Sequence, residues 1–545
     1  MTLSSTGPAA GKSPRPAYDA IIIGAGFSGL YQLHKLRDEL GLHVVVLDKA
    51  DGIGGTWYWN RYPGARCDSE SYYYCYSFNK EIEQEWSWSE RYPEHPEIRK
   101  YLNFVADRLD LKRDIRLGTE VISAAFDDAT NSWSVTTGSG EVLTASFLIT
   151  AVGCLSSANV PKLPGLENFK GDWYHTGLWP HEGVDFTGKR VGQIGTGSTG
   201  IQAAPAIAEQ AKHLTVFQRT ANYSIPARNG PVTADDIKHT RENYDDIWRQ
   251  ARAGTNGHPF SMSPRSALSV SDQERNDIYE KAWARGGLRF RASFADILQN
   301  VKANDTASDF IRQKIRDVVK DPAVADMLTP HDHGFATKRP PIDTFYFETF
   351  NRDNVQLVDL KAEPIVEVTA NGIRTASREY ELDIIVFATG FDALTGPLIN
   401  LNISGSGGYA LKEAWSAGPR AYLGLQSPKF PNLFTITGPG SPSVLCNMPI
   451  AIEQHVDWIT NCIRDMRAAG LERIEAEPES TEKWVAHVNE AANATLLPMA
   501  SSSWYLGANV PGKPRVFMPY IGGFPRYVQQ CRDVAANGYP GFVLA

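Results

Sequence analysis

Tyr18-Asp19-Ala20-Ile21-Ile22-Ile23-Gly24-Ala25-Gly26-Phe27-Ser28-Gly29 is the stretch on which the fold of this chain turns. Its first half is a mostly apolar run suited to a buried parallel strand. Its second half is Gly-x-Gly-x-x-Gly, and Leu30–Leu40 beyond it reads as a helix. Gly24 permits the tight turn, Gly26 lets a pyrophosphate approach the backbone, and Gly29 lets the helix pack on the strand. The helix N-terminus then offers free N–H groups and a positive dipole to that pyrophosphate. His43–Leu47 reads as a second buried strand ending at Asp48. A carboxylate there can accept from ribose hydroxyls and disfavours a 2′-phosphate. Strand before, helix after and an acid closing the next strand lift a weak motif to a dinucleotide site.

Gly54-Gly55-Thr56-Trp57-Tyr58-Trp59-Asn60-Arg61-Tyr62-Pro63-Gly64-Ala65-Arg66-Cys67-Asp68 follows directly. Two glycines before an aromatic cluster suit a loop lying close over a flat ring system, and Asp68 lies near this loop. A second unit begins at Lys189–Ile194, another short strand, continued by Gly195-Thr196-Gly197-Ser198-Thr199-Gly200, a helix over Ile201–Ala211 and a strand over Leu214–Gln218. Arg219 occupies the position that matches Asp48. A guanidinium there can hold a 2′-phosphate bidentately. The first unit therefore suits FAD or NAD, and the second suits NADP.

Two further apolar runs, Phe147–Gly153 and Ile384–Gly390, bracket the second unit and read as the two crossings between domains. Residues 223–330 carry no nucleotide signature, and Ser271–Arg285 and Ser308–Leu328 have amphipathic helical patterning, so this region reads as a helical insertion covering a site. The expected fold is α/β, with two Rossmann-like dinucleotide-binding domains and a helical insertion. The expected division is a disordered tail at 1–16, a first domain at 17–153 and 385–545, a second at 154–222 and 333–384, and the insertion at 223–332.

The bulk numbers agree with such an assembly. At 545 residues the chain exceeds one core. A formal charge of −8 argues against nucleic acid or an anionic membrane surface as the main partner, and no apolar run approaches the roughly 20 residues that span a bilayer. Six scattered cysteines without a C-x-x-C suit free thiols in a reducing cytoplasm and speak against a disulfide reductase. His331-Asp332-His333 lacks the further ligands of a metal site, so no metal is expected. The 13 Trp and 22 Tyr suit large cores or apolar pockets for organic ligands.

Between the two nucleotide units lies Phe169-Lys170-Gly171-Asp172-Trp173-Tyr174-His175-Thr176-Gly177-Leu178-Trp179-Pro180. Its form, F-x-G-x-x-x-H-x-x-x-W-P, together with the two glycine motifs resembles the fingerprint of the type I Baeyer–Villiger monooxygenases. The related N- and S-oxidising flavin monooxygenases resemble it as far as His175, but normally have Tyr or Phe where Trp179-Pro180 stands. The match runs from about Tyr18 to the C-terminus. Closest in appearance is the branch of phenylacetone and steroid monooxygenases, through Trp57–Asp68 and Phe387-Ala388-Thr389-Gly390-Phe391-Asp392-Ala393.

This resemblance implies an NADPH- and O2-dependent conversion of a small-molecule ketone to an ester or lactone through a C4a-peroxyflavin, with no obligate protein partner. It implies that Arg339 is the active-site arginine and that Asp68 positions it. A permanent cation suits chemistry that builds negative charge on oxygen. By the same carry-over, Thr56, Trp57, Asp68, Tyr74, Val121 and Met448 contact FAD, beside Gly24, Gly26, Gly29 and Asp48. The NADP contacts are Gly195, Thr196, Gly197, Ser198, Thr199, Gly200, Ile201, Gln202, Arg219, Thr220, Lys338 and Arg339. Trp504 matches a mobile-loop tryptophan near NADP and substrate. Pro439–Cys446 matches a substrate-pocket loop, with Cys446 as a wall residue and not a nucleophile. His175 and Trp179 are expected to hold the linker between domains, away from the ketone. The rival readings are a heteroatom-oxidising flavin monooxygenase and an NADP/FAD-sensing protein without turnover.

Overall fold

In the computed structural model, which describes residues 16–545, the N-terminal apolar run becomes the centre of a sheet. All of the tail expected at 1–16 except Pro16 lies outside the described residues. Strand β1 (Tyr18–Ile23) pairs in parallel with β2 (Val44–Leu47), which is followed by β3 (Ile115–Arg116). Beyond them β4 (Val121–Asp127), β5 (Ser132–Thr137) and β6 (Val142–Thr150) form an antiparallel meander, and β6 returns to lie parallel to β1 on its other side. Ala20–Ile23 of β1 and Val44–Leu47 of β2 are buried because both faces of the sheet are covered, which is why these strands are continuous apolar runs. The helix after β1 runs from Phe27 to His34 and continues as a π-helical turn over Lys35–Glu39.

A second, five-stranded sheet is parallel throughout. Strands β7 (Asp172–His175), β8 (Arg190–Ile194) and β9 (His213–Gln218) enter it in sequence. The two-residue pair β10 (Ile225–Pro226) and β11 (Ile342–Asp343) then closes the neck of the insertion. After it comes β12 (Val355–Asp359), an antiparallel three-stranded flap of β13 (Ile365–Thr369), β14 (Gly372–Thr375) and β15 (Glu379–Glu381), and finally β16 (Ile384–Phe387). The order is β12-β9-β8-β16-β7. The chain then returns to the first sheet, where β17 (Ile403–Ser404) extends β4 and β18 (Leu433–Thr435) pairs with β6.

Two of the expected boundaries move. The return to the first domain does not come at residue 385, because β16 hydrogen-bonds both β8 and β7 and so completes the second sheet. The crossing is the loop after Phe387. The neck at β10 and β11 also carries the insertion past residue 332 to about residue 341, so Lys338 and Arg339 stand at its foot. Nor does the insertion have a core of its own. Its helix Ala234–Ala253 buries Tyr244 and Trp248 against the core of the first sheet, whereas helices Asp272–Arg285 and Val301–Val318 bury Tyr279, Ile311 and Ile315 with the core of the second. It straddles both.

The two crossings run antiparallel beside each other. Leu394 N donates to Cys154 O and Asp392 N to Ser157 O, both at 2.8 Å, and Asn159 N donates to Gly390 O at 3.0 Å. His175, at the end of β7, is buried beneath them with its ring edge-on to Phe391. Its Nδ1 accepts from Gly177 N at 3.0 Å, and burial pushes its pKa down to about 4, so it is neutral near pH 7. Trp179 is buried between Tyr174 and Phe186 in the second core. The fingerprint thus lines the linker and the second core.

Candidate active site

The two glycine turns are built alike. Gly24 has φ +110° and lies against the Ala151 carbonyl, and a Cβ on Gly29 would overlap the Gly24 carbonyl oxygen. Gly195, at φ +111°, lies against Ala388 O, and Gly200 is pressed on Gly195 O in the same way. Neither following helix has a side-chain N-cap: Gly26 caps Phe27–His34 and Gly197 caps Ser198–Gln210 with no hydrogen bond from a side chain. Each helix start therefore keeps free N–H donors, and Gly197 has nothing within 4 Å of where a Cβ would be. This is what a dinucleotide pyrophosphate requires.

Asp48 at the end of β2 is buried and accepts from Ala25 N at 2.6 Å and Ala50 N at 2.8 Å, which leaves each oxygen a further acceptor site. Gly26 and Gly55 face each other without side chains, so the loop before Thr56 closes over the first turn. Trp57 is buried and donates from Nε1 to the Tyr74 hydroxyl at 3.2 Å. Val121 joins the hydrophobic cluster of Ile23 and Leu47, and Met448 opens the helix Met448–Ala469, half-buried. These groups all fit a flavin nucleotide lying from the first glycine turn toward Tyr74.

At the second turn Thr196 Oγ1 donates to Thr220 O at 2.9 Å. Arg219 is exposed at the end of β9 and Lys338 is half-buried. Burial lowers the Lys338 pKa; Asp332 raises it in part, and Arg219 and Lys361 lower it further, so Lys338 and Arg219 are close enough to repel. Neither forms an ion pair among the described residues. Two cations beside the turn, only Lys338 of them partly offset by Asp332, fit the 2′-phosphate of NADP. Ser198 and Thr199 occupy the first turn of the helix. Ile201 buries its side chain in the second core, so only its backbone faces the turn. Gln202 turns toward the first domain: its Nε2 donates to Arg66 O at 3.1 Å and its Oε1 accepts from the Tyr62 hydroxyl at 2.7 Å. It braces the two units, and its amide keeps one N–H and one lone pair beyond these two bonds.

Where the insertion meets both domains lies a cavity, partly open to solvent. Arg339 lines it and Asp68 stands behind Arg339, brought there from 271 residues away. Nε of Arg339 approaches Asp68 Oδ2 at 3.4 Å, and Nη1 donates to Val444 O at 3.1 Å, which leaves Nη2 for the cavity. Asp68 is buried, and burial raises its pKa although Arg339 pulls it back. On Arg339 burial opposes the charge, but Asp68 and Tyr505 outweigh it and raise the pKa, so the guanidinium stays protonated. The loop Val444-Leu445-Cys446 forms one wall. Burial pushes the Cys446 thiol above 9.0, its ordinary value, so it is an inert wall group. Trp504 is not on this wall. It packs against the ring of Tyr505, which is.

Sequence reasoning missed Asn256, His258, Arg291 and Tyr505, all on the cavity wall. The first three come from loops of the insertion, whose helical pattern gave no sign of chemistry. The one signal was Leu288-Arg289-Phe290-Arg291-Ala292, where arginines alternate with apolar residues and no acid follows. His331 and His333 lie outside the cavity, each beside an aspartate.

Comparison with known proteins follows the same lines. The model of the family described as flavin-binding monooxygenase-like matches residues 18–230. A Baeyer–Villiger monooxygenase from Pseudooceanicola batsensis is 47% identical over 96% of each chain. A phenazine N-monooxygenase from Lysobacter antibioticus is 44% identical over 97% of each. The solved structure of an oxidised steroid monooxygenase bound to NADP is 52% identical, superposes with a TM-score of 0.92, and the match covers 97% of this chain and 99% of that one.

Proposed function

This chain belongs to the Baeyer–Villiger monooxygenases of the flavin-binding family, and we propose that the cavity beside Arg339 is where its ketone is oxidised. The overall reaction takes a ketone, NADPH, a proton and O2 to an ester or lactone, NADP+ and water. FAD, when bound, supplies the two-electron reduction by NADPH and the activation of O2. The residues Gly24, Gly26, Gly29, Asp48, Thr56, Trp57 and Tyr74 would hold it, with Val121 and Met448 at its margins. Gly195–Gly200, Thr220, Arg219 and Lys338 would hold NADP.

The observation that carries the assignment is the Arg339–Asp68 pair at the cavity, at 3.4 Å. As oxygen adds to the ketone carbonyl, negative charge develops on the carbonyl oxygen. Arg339 can donate to it from Nη2 while Asp68 and Val444 O fix the plane of the guanidinium. A donor already aligned, in a site partly shielded from water, stabilises that charge more than bulk solvent does. Asp68 does not take the proton; it places the cation and keeps it charged. The apolar wall, from Phe260, Met262, Leu288, Leu445 and Leu497, receives the carbon skeleton.

The buried, unpaired state of all six cysteines supports a reducing compartment, and we place the enzyme in the cytoplasm. Among the described residues no helix is long and apolar enough to cross a membrane. The reading needs only small-molecule partners: the ketone, O2 and the two nucleotides.

The N-oxidising relative makes the chemistry worth testing directly. Purified protein with FAD and NADPH is given a cyclic or aryl ketone and, separately, a thioether and a phenazine. Ester or lactone as the main product is the expected outcome. S- or N-oxide formation without any ester from the whole ketone panel would overturn the proposal.

A further inference from the structure

A second cation stands on the cavity wall, and nothing among the described residues is paired with it. Arg291, in the turn Gly287–Ala292, lines the cavity together with Arg339. Its Nη2 donates to Asn256 Oδ1 at 3.1 Å, and Asn256 is itself held because its Nδ2 donates to Leu445 O at 2.7 Å. Nε and Nη1 of Arg291 have no hydrogen-bond partner, and the guanidinium forms no ion pair, among the described residues. The neighbouring arginines are different. Arg91 and Arg289 converge on the buried Glu70, at 2.8 and 3.4 Å, and Arg339 has Asp68.

The surroundings of Arg291 add no negative charge. Burial lowers its pKa; Tyr505 offsets this in part and Arg339 adds to it. Tyr505 itself is raised by burial, so it faces the arginines as a neutral hydroxyl near pH 7. His258, on the same wall, is pushed down to about 3, first by burial and then by Arg291 and Arg339, so it is uncharged as well, and its buried Nδ1 has no partner. Arg291 is half-buried, and a guanidinium partly withdrawn from water with no acid beside it gains from an anion that meets it. Neither glycine turn, nor Arg219, nor Lys338 lines this cavity, so the phosphates of both nucleotides are accommodated elsewhere.

We propose that Arg291 anchors an anion subsite and that the preferred substrate is a ketone carrying a carboxylate remote from its carbonyl. The inference rests on the oxidation of ketones in this cavity. The carbonyl lies at Arg339, the carbon skeleton crosses the apolar wall, and the carboxylate accepts from one fork of Arg291, either Nη1 or Nε together with the Nη2 proton that Asn256 does not take. Asn256 fixes the plane of the guanidinium, which favours two parallel hydrogen bonds.

The test uses matched pairs on the FAD-loaded enzyme, scored by ester product. Levulinate and levulinamide, the homologous keto acids lengthened by one to four methylene groups with their amides, and acetophenones bearing a para-carboxylate or para-carboxamide serve as probes. At least one acid is expected to exceed its amide in kcat/KM by about 10- to 100-fold. Arg291→Met should bring that ratio to one or below, and Arg291→Lys should keep part of it. Because the ratio is taken within each variant, a general loss of activity cancels. If Arg291→Met fails to retain FAD, the wild-type and Arg291→Lys ratios decide. Equal or better turnover of the amide in every wild-type pair, or a ratio untouched by the substitution, overturns the subsite while ester formation from neutral ketones leaves the enzyme class standing. Absence of ester from every ketone, neutral or acidic, removes both.

Discussion

Arg219 and Lys338 offer the cleanest quantitative test, because the proposed 2′-phosphate site joins one exposed and one half-buried cation. Two unit charges about 4 Å apart interact by about 1 kcal/mol in water and about 4 kcal/mol at an effective dielectric near 20. Arg219 sits at the watery end of that range. With the phosphate carrying nearly two charges, Arg219→Ala should cost about 1–2 kcal/mol, or roughly 5- to 30-fold in kcat/KM for NADPH. Lys338 has lost part of its hydration, as the burial-driven fall in its pKa records. Lys338→Met should cost about 2–3 kcal/mol, or roughly 30- to 150-fold. With NADH, which lacks the phosphate, both variants should stay within about threefold of wild type. Salt separates them further: the Debye length falls from about 10 Å at about 0.1 M to about 3 Å at about 1 M. The Arg219 effect should therefore shrink with salt, and the Lys338 effect should largely persist. Steady-state kinetics with both coenzymes at two ionic strengths decides it. If either variant harms NADH as much as NADPH, the assignment of this cluster to the 2′-phosphate is wrong.

Arg339→Ala should leave FAD bound and reducible by NADPH yet slow ester formation by roughly 100- to 1,000-fold, since one aligned donor to the developing oxyanion is lost; retained ester yield per NADPH would contradict its role. Gly29→Ala places a methyl group on the Gly24 carbonyl oxygen, so the protein should purify without flavin absorbance, and a yellow variant would speak against the first turn as the FAD site. Glu453 accepts from Ser77 N at 2.5 Å and from Ser77 Oγ, and burial, only partly offset by these bonds, lifts its pKa from 4.5 to about 7. The native state therefore keeps a proton that the unfolded chain releases, so this contribution to stability is complete below the unfolded value and is lost as pH rises through about 7. Glu453→Gln should flatten the fall in melting temperature between about pH 5 and about pH 8, gaining on wild type at the alkaline end by up to about 3 kcal/mol. An unchanged slope would mean that Glu453 is already ionised in the fold.

Much of this enzyme can be read in one dimension. The turn at Gly24–Gly29, the repeat of it at Gly195–Gly200 and the exchange of Asp48 for Arg219 are each local. A backbone that must reverse tightly against a phosphate leaves its mark within a dozen residues, and so does a strand buried on both faces. The F-x-G-x-x-x-H-x-x-x-W-P stretch is local too, and it named the family. What only the tertiary structure decided is everything that depends on closure over long separations. Strand β16 looks like β6 in sequence, and only its partners β7 and β8 assign it to the second sheet. Gln202 sits inside a nucleotide motif, and only the fold shows that its amide also braces Tyr62 and Arg66 of the first domain. Arg339 and Asp68 meet across 271 residues. Arg291 shows the limit most plainly: arginine beside phenylalanine in a helical insertion reads as surface, because charge is ordinarily solvated. Only the fold, by wrapping the insertion over both domains, half-buries that charge and turns it toward the cavity with no acid paired to it among the described residues.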